Sequence, residues 1–147
     1  MTRAVTANFH EVVVEIETET PGVWSKICGI TTRAINHTSN MQTSEIPDCD
    51  DESLPAAVER AVQSQEVTVS GTASWAKQNH GTMMRWWRSG ATKNIRVGYL
   101  KAEVGDTEYE TGPAYLVTLN ITAERGQKVT SEVEIQFDGL PTETAAS

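Results

Sequence analysis

Residues 66–75 read Glu-Val-Thr-Val-Ser-Gly-Thr-Ala-Ser-Trp, with Val67, Val69, Gly71, Ala73 and Trp75 at alternate places and Thr68, Ser70, Thr72 and Ser74 between them. A period of two puts the two sets on opposite faces of a half-buried strand. The same period recurs outward from this stretch. In Phe9–Glu17 it sets Val12, Val14 and Ile16 against Glu11, Val13, Glu15 and Glu17. In Ala114–Ala123 it sets Tyr115, Val117, Leu119 and Ile121 against Thr118, Asn120 and Thr122. In Lys128–Phe137 it sets Val129, Val133, Ile135 and Phe137 against Thr130, Glu132, Glu134 and Gln136. Two further strands are predicted at Val23–Asn36 and Lys93–Leu100, the first broken near Gly29, where the spacing of Ile27 and Ile30 slips by one residue as a bulge requires. Nineteen Thr and 14 Val agree, because β-branched side chains lose rotamer freedom on a helix and pack well on a pleated surface. One wet face per strand points to an antiparallel, all-β sandwich or barrel-like fold.

One helix interrupts the pattern. Thr82–Ser89 places Met83, Trp86 and Trp87 at i, i+3 and i+4, with Gly90 as its stop. The spacing predicts a weaker helix from a Ser53 cap through Leu54, Val58, Ala61 and Val62. Glu124–Gln127 reads as a hairpin turn and Val104–Thr107 as a second turn. Residues 39–65 read as a connection longer than the usual limit of about 12–15 residues, and such loops are functional or disordered. Residues 1–8 and 140–147 read as polar arms of a single domain spanning 1–147.

Several function classes are excluded by composition. Twenty acidic residues against 12 basic give the 147-residue chain a net charge of −8, which disfavours a general nucleic-acid binder. The N-terminus lacks the apolar run of a secretory signal, and no stretch approaches the roughly 20 apolar residues of a membrane span. A soluble protein with Cys28 and Cys49 as free thiols is therefore expected. No enzyme site is visible: His10, His37 and His80 are scattered, and Cys49 is flanked by carboxylates that blunt a thiolate. The run Asp48, Asp50, Asp51, Glu52 lacks the sixth-position glycine and twelfth-position glutamate of a calcium loop, so no metal or other cofactor is expected. Helical spacing with Met83 makes at least one of Trp86 and Trp87 a core residue.

Charge segregation is the more informative signal. Residues 41–60 carry Glu45, Asp48, Asp50, Asp51, Glu52 and Glu59 against Arg60 alone, a net of −5. Residues 77–101 carry Lys77, Arg85, Arg88, Lys93, Arg96 and Lys101 with no acid, a net of +6. Such patches either neutralise each other within one subunit or join copies head to tail, and heterologous contacts of that kind generate rings or filaments.

The order of elements resembles the major tail tube proteins of long-tailed, siphovirus-like bacteriophages and of related gene transfer agents. The likeness rests on an N-terminal strand, a strand leading into a long loop, the Val67–Trp75 strand, one helix ending in Trp86-Trp87-Arg-Ser-Gly90, three closing strands and a Thr/Ala tail, across residues 9–139. It implies a virion protein whose hexameric rings stack into a hollow tube that conducts the genome during ejection. It implies self-association, tape-measure, tail terminator and distal tail proteins as partners, and DNA in transit without specific binding or membrane insertion. Assembly in the host bacterial cytoplasm follows. Residues 39–65 become the inter-ring loop and the termini become arms. Contact candidates are Glu45, Asp48, Asp50, Asp51, Glu52, Arg85, Arg88, Lys93 and Arg96. Candidates for the lumen wall are Glu11, Glu15, Glu17, Glu132 and Glu134, since carboxylates repel phosphates where lysines would hold them; which face points inward stays open. The alternative from another class is a monomeric β-sandwich carbohydrate-binding module with Trp24, Trp75, Trp86 or Trp87 as its platform.

Overall fold

The computed structural model describes residues 2–27 and 29–147, without the side chains of Gln78 and Asn79. Among the described residues are eight strands, β1 (Val12–Glu17), β2 (Trp24–Lys26), β3 (Ile30–Ile46), β4 (Ala57–Ser74), β5 (Lys93–Tyr99), β6 (Thr107–Thr122), β7 (Thr130–Phe137) and β8 (Thr142–Ala145), and one α-helix, α1 (Lys77–Ser89). They form an antiparallel sheet in the order β2-β1-β5-β6-β7-β4-β3, with β8 on β6. The all-β reading with one helix holds. So does the break near Gly29, which has a φ of 85°.

The sheet cannot be flat. Val14 and Ile16 of β1 share one core with Val67 and Val69 of β4. Three strands separate β1 from β4 in the sheet, so on a flat surface they would stand roughly 19 Å apart. β6 makes the fold-over: Tyr109–Ala114 pairs with β5, whereas Ala114–Thr122 pairs with β7. The register shift between Leu116 and Thr118 inserts Val117 as a bulge, which bends the strand. One half-sheet is thus β2-β1-β5-β6-β8 and the other β6-β7-β4-β3.

α1 closes the space between the halves. Trp86, Ile95, Ile135, Val14, Val67 and Val97 are the largest fully buried side chains, each contributing about 1.5–3 kcal/mol of apolar burial. Trp86 also donates its Nε1–H to the Ala91 carbonyl at 3.1 Å, fastening the turn after Gly90, whose φ of 64° ends the helix. The helix begins at Lys77 rather than Thr82, because residues 77–81 contain no apolar side chain to carry a period.

Residues 39–65 are not a loop, and the helix expected after Ser53 is absent. β3 and β4 stay paired beyond the body, from Ser39 opposite Gln65 to Ile46 opposite Ala57, leaving only 47–56 as the turn. This two-stranded ribbon projects roughly 25 Å at about 3.3 Å per residue, and its residues are exposed on both faces. The C-terminal arm is also docked: β8 adds to β6 with Thr142 opposite Thr111 and Ala145 opposite Thr107.

Candidate functional site

The acidic candidates gather at the ribbon. Glu45 lies on β3 opposite Val58, and Asp48, Asp50, Asp51 and Glu52 occupy the exposed tip. The tip is held by its own carboxylates. Asp48 accepts the backbone N–H groups of Asp50 and Asp51 at 2.8 and 3.1 Å, and Asp51 accepts that of Ser53 at 3.0 Å. Those donors hold the Asp48 carboxyl below its ordinary value, and the Ser53 hydroxyl and N–H do the same for Asp51. Cys49 is exposed in this turn, and Cys28, the other expected thiol, lies outside the described residues. Among the described residues no group of three His, Cys, Asp or Glu is placed to hold a metal ion.

The proposed wall carboxylates divide between the two half-sheets. Glu132 and Glu134 stand on the solvent face of the second, beside Thr72 and Ser70 of β4 and Asn120 and Thr118 of β6. The alternation continues through Thr32, Ala34 and Asn36 of β3 and Glu66 and Thr68 of β4. No Lys or Arg stands on this face among the described residues. Glu66 went unnoticed in the sequence because it precedes the apolar alternation that marked the strand.

Glu15 and Glu17 lie on β1 of the first half-sheet and Glu11 on the helical turn just before it, and all three are already engaged. Glu11 is 3.6 Å from Lys101 and accepts the Asn8 N–H, which holds its carboxyl below the usual range. Glu17 accepts from Asn94 at 3.2 Å. Glu15 is buried and accepts Nη2 of Arg96 at 3.1 Å on both oxygens. Arg96 in turn stacks on Trp24 at 4.8 Å and Tyr109 at 4.3 Å from the ring centres. The register thus sets Glu15, a candidate for the lumen wall, opposite Arg96, a candidate for a subunit contact, although they are 81 residues apart in sequence.

Arg85 and Arg88 are exposed on α1 and Lys93 opens β5. A cleft of about 450 Å³ between α1 and the β1–β2 hairpin is lined by Lys26, Arg85 and Lys93 together with Ile16, Ile27 and Met83. Lys26 carries no signal in the sequence, since β2 is only three residues long and has no period.

The tryptophans do not form a platform. Trp86 is 1% exposed, Trp75 packs against the core with its ring edge-on to His80 at 5.6 Å, and the Trp24 face is covered by Arg96. Trp87 alone is substantially exposed.

Both edges of the second half-sheet are open among the described residues: the outer side of β3, and the side of β6 past Ala114, where β5 has ended. Open edges attract further strands, and together with the polar faces they mark a structural, self-associating β-protein. A family model described as phage tail tube protein matches residues 6–143. The chain belongs to that family and is a structural protein of the virion tail. No curated protein matches it significantly by sequence. Its fold is similar to that of the tail of an empty gene transfer agent particle refined with C6 symmetry, at 13% identity and a TM-score of 0.74 over 95% of this chain and all of that one. The virion of a native gene transfer agent particle gives 12% identity and 0.70 over 95% and 100%. The SPP1 tail tube gives 12% and 0.66 over 96% and 81%.

Proposed function

We propose that the protein is a non-catalytic subunit that forms hexameric rings, stacked into a tail tube that conducts the genome. The observation that carries this reading is the second half-sheet, four antiparallel strands with both edges open and, among the described residues, no Lys or Arg on its solvent face. Because the strand number is even, β3 of one copy runs antiparallel to β6 of the next, so the edges can pair and satisfy each other's backbone groups. Six copies, the number in the C6 tail of the similar gene transfer agent, close a continuous sheet. Its girth is roughly 115 Å at about 4.8 Å per strand, or about 37 Å across before strand tilt widens it.

In this reading the Thr/Ser/Glu face lines the lumen. Glu66, Glu132 and Glu134 repel phosphates, so a duplex gains no counterion-release energy at the wall and slides. The ribbon reaches the adjacent ring, and the N-terminal arm 2–8 is free to do likewise. Tape-measure, tail terminator and distal tail proteins would meet the lumen and the two ends, with assembly in the host bacterial cytoplasm. Electron microscopy of the purified protein at high concentration tests the reading. Stacked rings with a central hole and six-fold class averages are expected; persistent monomers would overturn it. A carbohydrate module is disfavoured by the burial of Trp86 and the covered ring of Trp24.

A further inference from the structure

The two ends of the molecule carry opposite charge along the strand direction. β4 runs 18 residues from the ribbon to Ser74, roughly 56 Å of extended chain, and Trp75 and Ala76 then lead into α1. Ser74 is in register with Thr130, and Thr130 with Thr122, so the turn joining β6 to β7 lies at the same end as α1. The Trp75 N–H donates to the Val129 carbonyl at 2.9 Å, fixing that placement. Arg125 and Lys128 of this turn therefore lie on the side where α1 begins with Lys77, and the helix carries Arg85 on to the cleft that Lys26 and Lys93 also line. Lys77, Arg125 and Lys128 thus stand at the end of β4 where α1 begins, and Lys26, Arg85 and Lys93 line the cleft beside that helix. The opposite end is the ribbon tip, where 47–56 holds four acids and no base.

That separation decides between the two readings of the charge pattern. A tip at the far end of β4 from α1 cannot neutralise its own subunit's basic group, whereas the tip of another copy can. The cleft suits it in more than charge. Buried Ile16 and Met83 with half-buried Ile27 offer an apolar side, and the tip carries Leu54, half exposed, directly after its acids. The volume of about 450 Å³ lies within the range of binding clefts. Glu17 and Glu19 line the same cleft beside Thr18 and Thr20, so the carboxylates it receives must seat toward Lys26, Arg85 and Lys93.

We propose that the cleft between α1 and the β1–β2 hairpin receives the acidic ribbon tip of a second copy in the adjacent ring, with Asp50 and Glu52 facing Arg85, Lys93 and Lys26 and Leu54 against Met83 and Ile27. The contact is heterologous: each copy presents one tip and one cleft at opposite ends, so stacking has a single direction and does not self-limit. This deepens the tube reading and rests on it.

The test uses the full chain, with tubes quantified by sedimentation and negative-stain microscopy and folding checked by circular dichroism. R85E/K93E and D50K/E52K are each expected to lose sedimentable tubes while keeping the folded spectrum. The chain carrying all four reversals, whose tip and cleft are again opposite in sign, is expected to regain them. Should R85E/K93E lose its fold, K26E on exposed β2 takes its place. Wild-type protein that forms neither rings nor tubes would overturn the tube reading itself. Wild-type tubes with undiminished growth of R85E/K93E would overturn the cleft alone, and so would a fourfold variant that stays unassembled when both double variants are blocked.

Discussion

Trp86 and Trp87 are neighbours in sequence, about 100° apart around α1, and should differ sharply in what they contribute. Trp86→Ala deletes a ring that is 1% exposed and packed among Met83, Ile95 and the facing strands. Large-to-small changes of this kind cost about 3–5 kcal/mol. The indole N–H bond to the Ala91 carbonyl goes too, at a net of about 1 kcal/mol. The sum of about 4–6 kcal/mol is a large part of the 5–15 kcal/mol that holds a typical domain together. Trp87→Ala removes a ring already 49% exposed, for about 1 kcal/mol. Urea unfolding of the dilute, unassembled subunit, followed by far-ultraviolet circular dichroism, reads both variants, and the m-values should match. A difference between the two below about 1 kcal/mol, or the reverse order, would refute the orientation of α1 and with it the outward placement of Arg85 and Arg88.

Gly98→Val should lower the melting temperature through overpacking of about 1–3 kcal/mol, because a Cβ there stands 2.8 Å from Val13 Cγ2 and 2.9 Å from Tyr109 Cε1; unchanged melting would contradict the packing of the first half-sheet. Asp48 and Asp51 should titrate below 3.8 in carboxyl-carbon NMR. Since their folded values are depressed, the order of the tip persists above that value and is lost as pH falls through the depressed ones; ordinary titration at both positions would discount the turn. The Tyr99 hydroxyl is held protonated well above its ordinary 10.0 by burial and by its bond to Glu110 at 2.6 Å. A raised folded value means stability lost as pH rises from about 10 upward, and Tyr99→Phe should flatten that decline; an identical decline in both proteins would count against the bond. E132K/E134K tubes should retain duplex DNA at low salt and release it as salt rises, where wild-type tubes retain none; equal retention would argue against this face as the lumen wall.

The strands legible in the sequence are those with one buried face. Val67 and Val69, or Val133, Ile135 and Phe137, show the period because the core demands it. The ribbon has no buried face and hence no apolar period. Its Leu54, Val58 and Val62 are spaced by four, an interval that repeats one face of a helix and equally one face of a strand. β8 is Thr-Glu-Thr-Ala, four exposed residues whose only structural content is backbone pairing to β6. The charged candidates were legible as residues but not as partners. Glu15 and Arg96 meet through the β1–β5 register, and Arg125 and Lys128 join α1 through the β4–β7–β6 register. Such long-range pairings leave no local trace.

The ribbon is also independent of the body in a way that bears on how a particle of fixed design can change its dimensions. Past Glu66 its strands bond only to each other, so the body's hydrogen bonds do not depend on how far it extends. Inserting two residues into each strand keeps every side chain on its present face and advances the tip by roughly 6.6 Å. The register shift at Asn40 and Met41, which leaves Gln63 as the odd residue on β4, supplies a local bend and added twist at the root. Reach is therefore graduated in steps of two residues, and angle is set at one bulge. Neither adjustment touches the core that makes the subunit fold.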